Sequence, residues 1–166
     1  GESISTSGCC LTVVENVLEN GKNLISFDIV QESLKCTTLD SLQQGSSVNV
    51  ERSLRPDSFL GGHFVQGHID GFETVLLVTP QDSGDCRLRI TTATIDTDTI
   101  VPKGSVSIDG VSLTVATVCD DWFEVALVPT TLRETTLGKI QVGDLVNIET
   151  DILTRTIVQV VRKMQQ

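Results

Sequence analysis

Alternating apolar and polar residues run through two blocks of the chain. In SVSIDGVSLTVATV, residues 105 to 118, Val, Ile and Leu alternate with Ser and Thr. That period of two predicts strands with one buried face. Asp109-Gly110 interrupts the alternation and predicts a tight hairpin turn with positive φ. SISTSGCCLTVVEN, residues 3 to 16, has the same form, with Ser7-Gly8 at the turn. WFEVALV (122–128), DLVNIET (144–150), FETVLLVT (72–79) and CRLRITTA (86–93) predict further strands, and the segment running to Ile100 is a candidate for one more. VQESLKCTTL (30–39) and VPTTLRETTL (128–137) predict a turn or short helix, after which Gly45 and Gly143 turn the chain into the last strand of each block. The period changes only at the end. In DILTRTIVQVVRKMQQ, Leu153, Ile157, Val160 and Met164 fall at spacings of four, three and four, a helical stripe. Such a stripe serves either to lay the helix on its own barrel or to join subunits.

The two blocks are copies. Ser3, Ser5, Gly8, Leu11, Thr12 and Val13 match Ser105, Ser107, Gly110, Leu113, Thr114 and Val115 at a constant offset. Leu34, Thr37, Thr38, Leu39, Gly45, Val48, Asn49 and Glu51 match Leu132, Thr135, Thr136, Leu137, Gly143, Val146, Asn147 and Glu149 at an offset smaller by four, which reads ENVLENGKN as a longer turn in the first copy. A long period present twice indicates duplicated domains rather than a solenoid. Short antiparallel strands with regular turns predict barrels, which leave no sheet edge. SLRPDSFLGG (53–62) reads as the linker. The second copy has about 36 residues of strand-forming sequence ahead of Lys103 with no counterpart ahead of Gly1, so the first barrel is expected to be incomplete. The expected organisation is a first barrel over residues 1–60, a second over 61–151 and a C-terminal helix over 152–166.

Composition narrows the function. The 166 residues carry a formal net charge of −10, which argues against nucleic acid and against an anionic membrane surface. No apolar run approaches the roughly 20 residues of a membrane span, and no basic-then-apolar segment opens the chain as a signal peptide would. Five cysteines, an odd number with no C-x-x-C pair, predict reduced thiols in a cytoplasmic protein, with neither a disulfide framework nor a zinc site. Aromatics are only 4% of the chain, so the core must be aliphatic.

Six ordered blocks carry a resemblance: GCCLTV (8–13), VNVERSL (48–54), GGHFVQGHIDG (61–71), KGSVSIDGVSLTV (103–115), TLRETTLG (131–138) and VNIETD (146–151). The chain resembles riboflavin synthase over nearly its whole length. The resemblance implies an all-β chain of two tandem six-stranded Greek-key barrels plus a C-terminal helix through which three chains associate as a homotrimer. It implies no metal and no cofactor. The implied substrate is 6,7-dimethyl-8-ribityllumazine, one molecule per barrel. A four-carbon unit passes from one to the other, giving riboflavin and 5-amino-6-ribitylamino-2,4-pyrimidinedione. Lumazine synthase is a candidate partner, and a plastid location is implied if the source is a plant. The implied active site lies where the first barrel of one subunit meets the second barrel of its neighbour. Two departures stand out. Family members open with a Met-Phe-Thr-Gly segment bordering the first pocket, which this sequence lacks, and Ser7 stands where Asn usually precedes the Gly. A non-catalytic lumazine or flavin binder of the same fold is the main alternative, and a purely structural oligomer a third.

The resemblance also selects residues. By position, Cys10 and Ser112 match the family's active-site Cys and Ser, so two similar pockets carry different nucleophilic atoms. Alternation puts Cys9 and Cys10 on opposite faces, so only one of them can face the pocket; a strand Cys also serves simply as a small buried hydrophobe. His68 is a candidate for proton transfer or a histidine bonded to backbone in the interdomain bend; His63 is the weaker candidate. Lys103 is either a pocket residue or a solvated lysine. Asp151 is either a catalytic carboxylate or the N-cap of the terminal helix. Ser3 matches a family serine but is expected to fray at the chain start. Implied binding positions are Cys10, Leu11 and Thr12; Asp28, Ile29, Val30, Gln31, Glu32 and Ser33; Gly67, His68 and Ile69; Lys103; Ser112, Leu113 and Thr114; and Val128, Pro129, Thr130, Thr131, Leu132 and Arg133. Thr12 and Thr114 would bond ligand pyrimidine or ribityl groups, or else neighbouring backbone.

Overall fold

A computed structural model describes residues 1–166. The first half holds β1 (Ser3–Thr6), β2 (Cys9–Glu19), β3 (Lys22–Phe27), α1 (Gln31–Cys36) and β4 (Val50–Arg52). The second holds β5 (Gly71–Pro80), β6 (Cys86–Thr91), β7 (Ser105–Ile108), β8 (Val111–Val118), β9 (Trp122–Leu127), α2 (Pro129–Glu134) and β10 (Leu145–Thr150), and α3 (Ile152–Met164) ends the chain. The second half is a closed barrel of order β10-β5-β6-β9-β8-β7, and the first an open sheet of order β3-β2-β1-β4. Both contain three hairpin-linked strands with the fourth returning beside the first, the Greek key.

The open sheet is the barrel without counterparts of β5 and β6. Its core shows the difference: sixteen buried apolar residues fill the barrel, whereas only Cys9, Leu11 and Leu39 form a buried cluster in the first half. Leu18, Val14 and Leu24 are correspondingly exposed.

Three expectations need correction. ENVLENGKN is not a longer turn: β2 itself lengthens, to 11 residues against 8 in β8, and closes with β3 on a two-residue turn, with Asn20 (φ 51) and Gly21 (φ 76) supplying the left-handed conformations a tight hairpin needs. The segment before Ile100 is not a strand but a 3-10 turn over Thr97–Thr99, which the Asp96 carboxylate caps by accepting the Asp98 N–H. Ser3 does not fray: it is paired with Thr12 inside β1, and its carbonyl accepts the Ser53 hydroxyl.

The halves meet across an approximate two-fold relation at their matching turns. Ser7 (φ 42) and Gly8 (φ 85) repeat the geometry of Asp109 (φ 47) and Gly110 (φ 82). A Cβ on Gly8 would lie 2.7 Å from the Gly110 nitrogen, so only glycines permit this approach. Two asparagines cross the seam reciprocally. Asn49 donates to the Asp109 carbonyl (2.9 Å) and accepts from the Thr136 N–H (2.8 Å). Asn147 donates to the Ser7 carbonyl (2.8 Å) and accepts from the Thr38 N–H (2.7 Å).

The terminal helix is not laid on its barrel by its apolar stripe. Arg155 pairs with Asp70 at its start, and Arg162 pairs with Asp96 and Asp98 near its end. Leu153, Ile157, Val160 and Met164 all point to solvent, Met164 at 82% exposure. No helix is long and apolar enough to cross a membrane.

Candidate functional site

The period of two places Cys9 inward and Cys10 outward on β2, and Ser112 outward on β8 between Val111 and buried Leu113. Thr12 and Thr114 follow on the same outward faces. Cys10 and Ser112 line one cleft of about 1370 Å³ between the halves, together with Ser5, Glu51, Asp109 and the linker residues Gly62, His63 and Gly67. All five cysteines are free thiols.

The whole connection from β4 to β5, residues 53–70, acts as the linker and crosses directly over both motifs. His63 Nδ1 lies 2.8 Å from the Ser112 hydroxyl oxygen. Gly62 is packed so closely that a Cβ there would lie 2.8 Å from the Ser112 Cβ. At Gly67 (φ 78) a Cβ would lie 2.5 Å from the Cys10 Cβ, and its carbonyl accepts the Cys10 N–H at 2.9 Å. Glu149, buried on β10, accepts three consecutive linker N–H groups: Gln66 (2.7 Å), Gly67 (2.8 Å) and His68 (3.1 Å). Burial pushes the Glu149 pKa up, against these three donors.

His63, the weaker histidine candidate by sequence, is therefore the one that meets the serine. Burial lowers its pKa, and the nearby Asp151 charge partly opposes this. A neutral imidazole can accept the Ser112 proton at Nδ1. Nε2 is buried and has no hydrogen-bond partner. The sequence signal that existed was Gly62, the small residue that lets His63 approach Ser112.

The remaining candidates are placed as follows. The side chain of His68 is exposed, and its backbone is held by Glu149. Asp151 is the N-cap of α3, accepting the Leu153 N–H at 2.9 Å. Lys103 is exposed in a turn with φ 65, its N–H bonded to the Val115 carbonyl. Residues 28–33 run from β3 into α1 and residues 128–133 from β9 into α2, at matching places in the two halves. Ile29 and Ile69 both pack against the small cluster of Cys9, Leu11 and Leu39, which brings the linker and the β3–α1 turn together. Glu149 and Asn49, which organise this region, were not recognised as such in the sequence because polar residues on a strand read as solvent-facing.

A Greek key present twice, with a small nucleophilic side chain at the same place in each copy, defines the class: a tandem Greek-key β protein. The lumazine binding domain model matches residues 1–53 and 66–151. The chain belongs to the riboflavin synthase family of lumazine-binding proteins. It is 39% identical to the riboflavin synthase of Actinobacillus pleuropneumoniae, the match covering 98% of this chain and 74% of that protein. It is 40% identical to that of Mycobacterium tuberculosis (98% and 80%) and 39% identical to that of Escherichia coli (99% and 75%). Among solved structures it is similar to LumP complexed with 6,7-dimethyl-8-(1'-D-ribityl) lumazine (TM-score 0.76) and with riboflavin (TM-score 0.78). Both are 29% identical, and each match covers 90% of this chain and 78% of that one.

Proposed function

We propose that the protein is a riboflavin synthase, acting on two molecules of 6,7-dimethyl-8-ribityllumazine by four-carbon transfer to give riboflavin and 5-amino-6-ribitylamino-2,4-pyrimidinedione. The observation that carries this reading is the placement of Cys10 and Ser112, at matching positions of the repeat, on one cleft under one linker. Two copies of one substrate suit two copies of one motif. The donor and acceptor roles differ, which suits two different nucleophilic atoms.

The C7 methyl of lumazine is a carbon acid because its anion spreads into the ring. The chemistry asks for a base near that methyl, addition at the partner ring and donors for the charged ring. Ser112 with His63 supplies a hydroxyl whose proton has an acceptor 2.8 Å away. On this reading Cys10 and Thr12 in the first half, and Thr114 in the second, orient the rings, and holding two rings face to face contributes much of the acceleration. Lys103 is assigned to the neighbouring pocket in a homotrimer, and Asp151, whose charge acts on His63, to catalysis beside Ser112. The exposed α3 stripe supports that assembly, and the expected location is the cytoplasm.

A second reading, a lumazine or flavin binder without turnover, is favoured by the likeness to LumP bound to those ligands. The deciding experiment mixes the protein with 6,7-dimethyl-8-ribityllumazine and follows riboflavin absorbance, with Ser112→Ala alongside. Riboflavin from the parent and little from the variant supports the enzyme; lumazine binding without riboflavin supports the binder.

A further inference from the structure

The register of the two sheets repeats a third residue beside each nucleophile. In the first half Ser5 is paired with Cys10 on one side and Glu51 on the other. In the second, Ser107 is paired with Ser112 on one side and Glu149 on the other. Paired residues face the same side of a sheet, so each nucleophile has a carboxylate two strands away on its own face. The two carboxylates differ in surroundings. Glu51 is exposed, whereas Glu149 is only 1% exposed.

The reason is the linker. Three successive backbone N–H groups converge on the Glu149 carboxylate. A carboxylate buried this deeply needs such donors, and the linker has no regular structure of its own to hold its course. What Glu149 holds reaches both motifs: Gly67 carries the carbonyl that takes the Cys10 N–H, and three residues before Gln66, His63 meets Ser112.

We propose that Glu149 is the positioning residue of the site, a single buried carboxylate that sets the Cys10 motif and the Ser112–His63 pair together through the linker. The meaning of the site rests on the lumazine reading above, but the linkage itself is measurable without any ligand.

The test is NMR on the full chain. In the parent, the amides of Gln66, Gly67, His68 and Cys10 should exchange with one common opening free energy. In Glu149→Gln, whose amide brings its own N–H groups to the three donors, exchange at these four amides should rise by at least about tenfold. The His63 imidazole nitrogen shifts should move as Nδ1 loses the Ser112 hydroxyl. Glu73→Gln is the control. Glu73 is a buried carboxylate of the same barrel that holds the Thr94 and Ile95 backbone instead, so it should lower stability and leave the His63 shifts alone. Parental exchange and His63 signals in a folded Glu149→Gln would overturn the proposal, as would independent opening of Cys10 and Gln66–His68 in the parent, a measurement that stands even if the variant does not fold. Lumazine affinity is then read separately. A parent that shows the common opening but binds no lumazine overturns the functional reading and leaves the positioning role intact.

Discussion

Among single residues, His63 and Asp109 carry the sharpest expectations. Removing the proton acceptor of Ser112 should slow general-base chemistry by about 10²–10⁴-fold, so His63→Ala should lower riboflavin formation far more than His68→Ala, measured by initial rates at saturating lumazine. Burial pushes the Asp109 carboxyl from its ordinary 3.8 up to about 7, despite the Asn147 N–H that it accepts. A folded pKa above the unfolded one means the native state keeps a proton that the unfolded chain releases. Stability therefore falls as pH rises from about 4 to about 7, and the loss is complete above that. Asp109→Asn keeps the acceptor oxygen and tolerates the positive φ. It should flatten this slope and be more stable than the parent at pH 8, as read from urea denaturation at pH 5 and pH 8.

At the level of elements, the seam between halves depends on glycines and crossed asparagines rather than on apolar area. Asn147→Ala would leave the Thr38 N–H and the Ser7 carbonyl without partners, and should cost about 1–3 kcal/mol in denaturant unfolding. Gly67→Ala puts a Cβ against Cys10 at positive φ and should cost a similar ~1–3 kcal/mol. It should also disturb lumazine binding, while Gly21→Ala, with open space around it, should affect folding alone. The elements themselves were largely legible. Alternation located β1, β2 and β7 to β10, and the repeat doubled each inference. The Asn20-Gly21 turn is legible as well, since Asn-Gly between two strand-forming runs is a hairpin signal. The segment before Ile100 is a turn rather than a strand because Asp96 competes with the ladder by bonding backbone two residues on.

For the whole molecule, α3 is, with the β2–β3 hairpin, an element without a covering. Two arginines tie it to acidic residues, and its stripe is bare. Ile157→Asp should shift the protein to monomer in analytical ultracentrifugation with the barrel still folded, because nothing in the chain's own core touches that side chain. An unchanged sedimentation coefficient would count against helix-mediated assembly.

By itself the sequence determined the periods, the turns and the duplication, because these depend on residues near one another along the chain. The hairpins need Gly or a short polar residue at left-handed φ, and alternation alone puts Cys9 and Cys10 on opposite faces. Only the tertiary structure decided that the linker lies across both motifs, that His63 rather than His68 meets Ser112, and that Glu149 is buried. Those facts depend on contacts between residues some 50 to 80 positions apart. No local pattern distinguishes a strand carboxylate in water from one enclosed by three backbone donors. That difference is made by the packing of a distant segment against it.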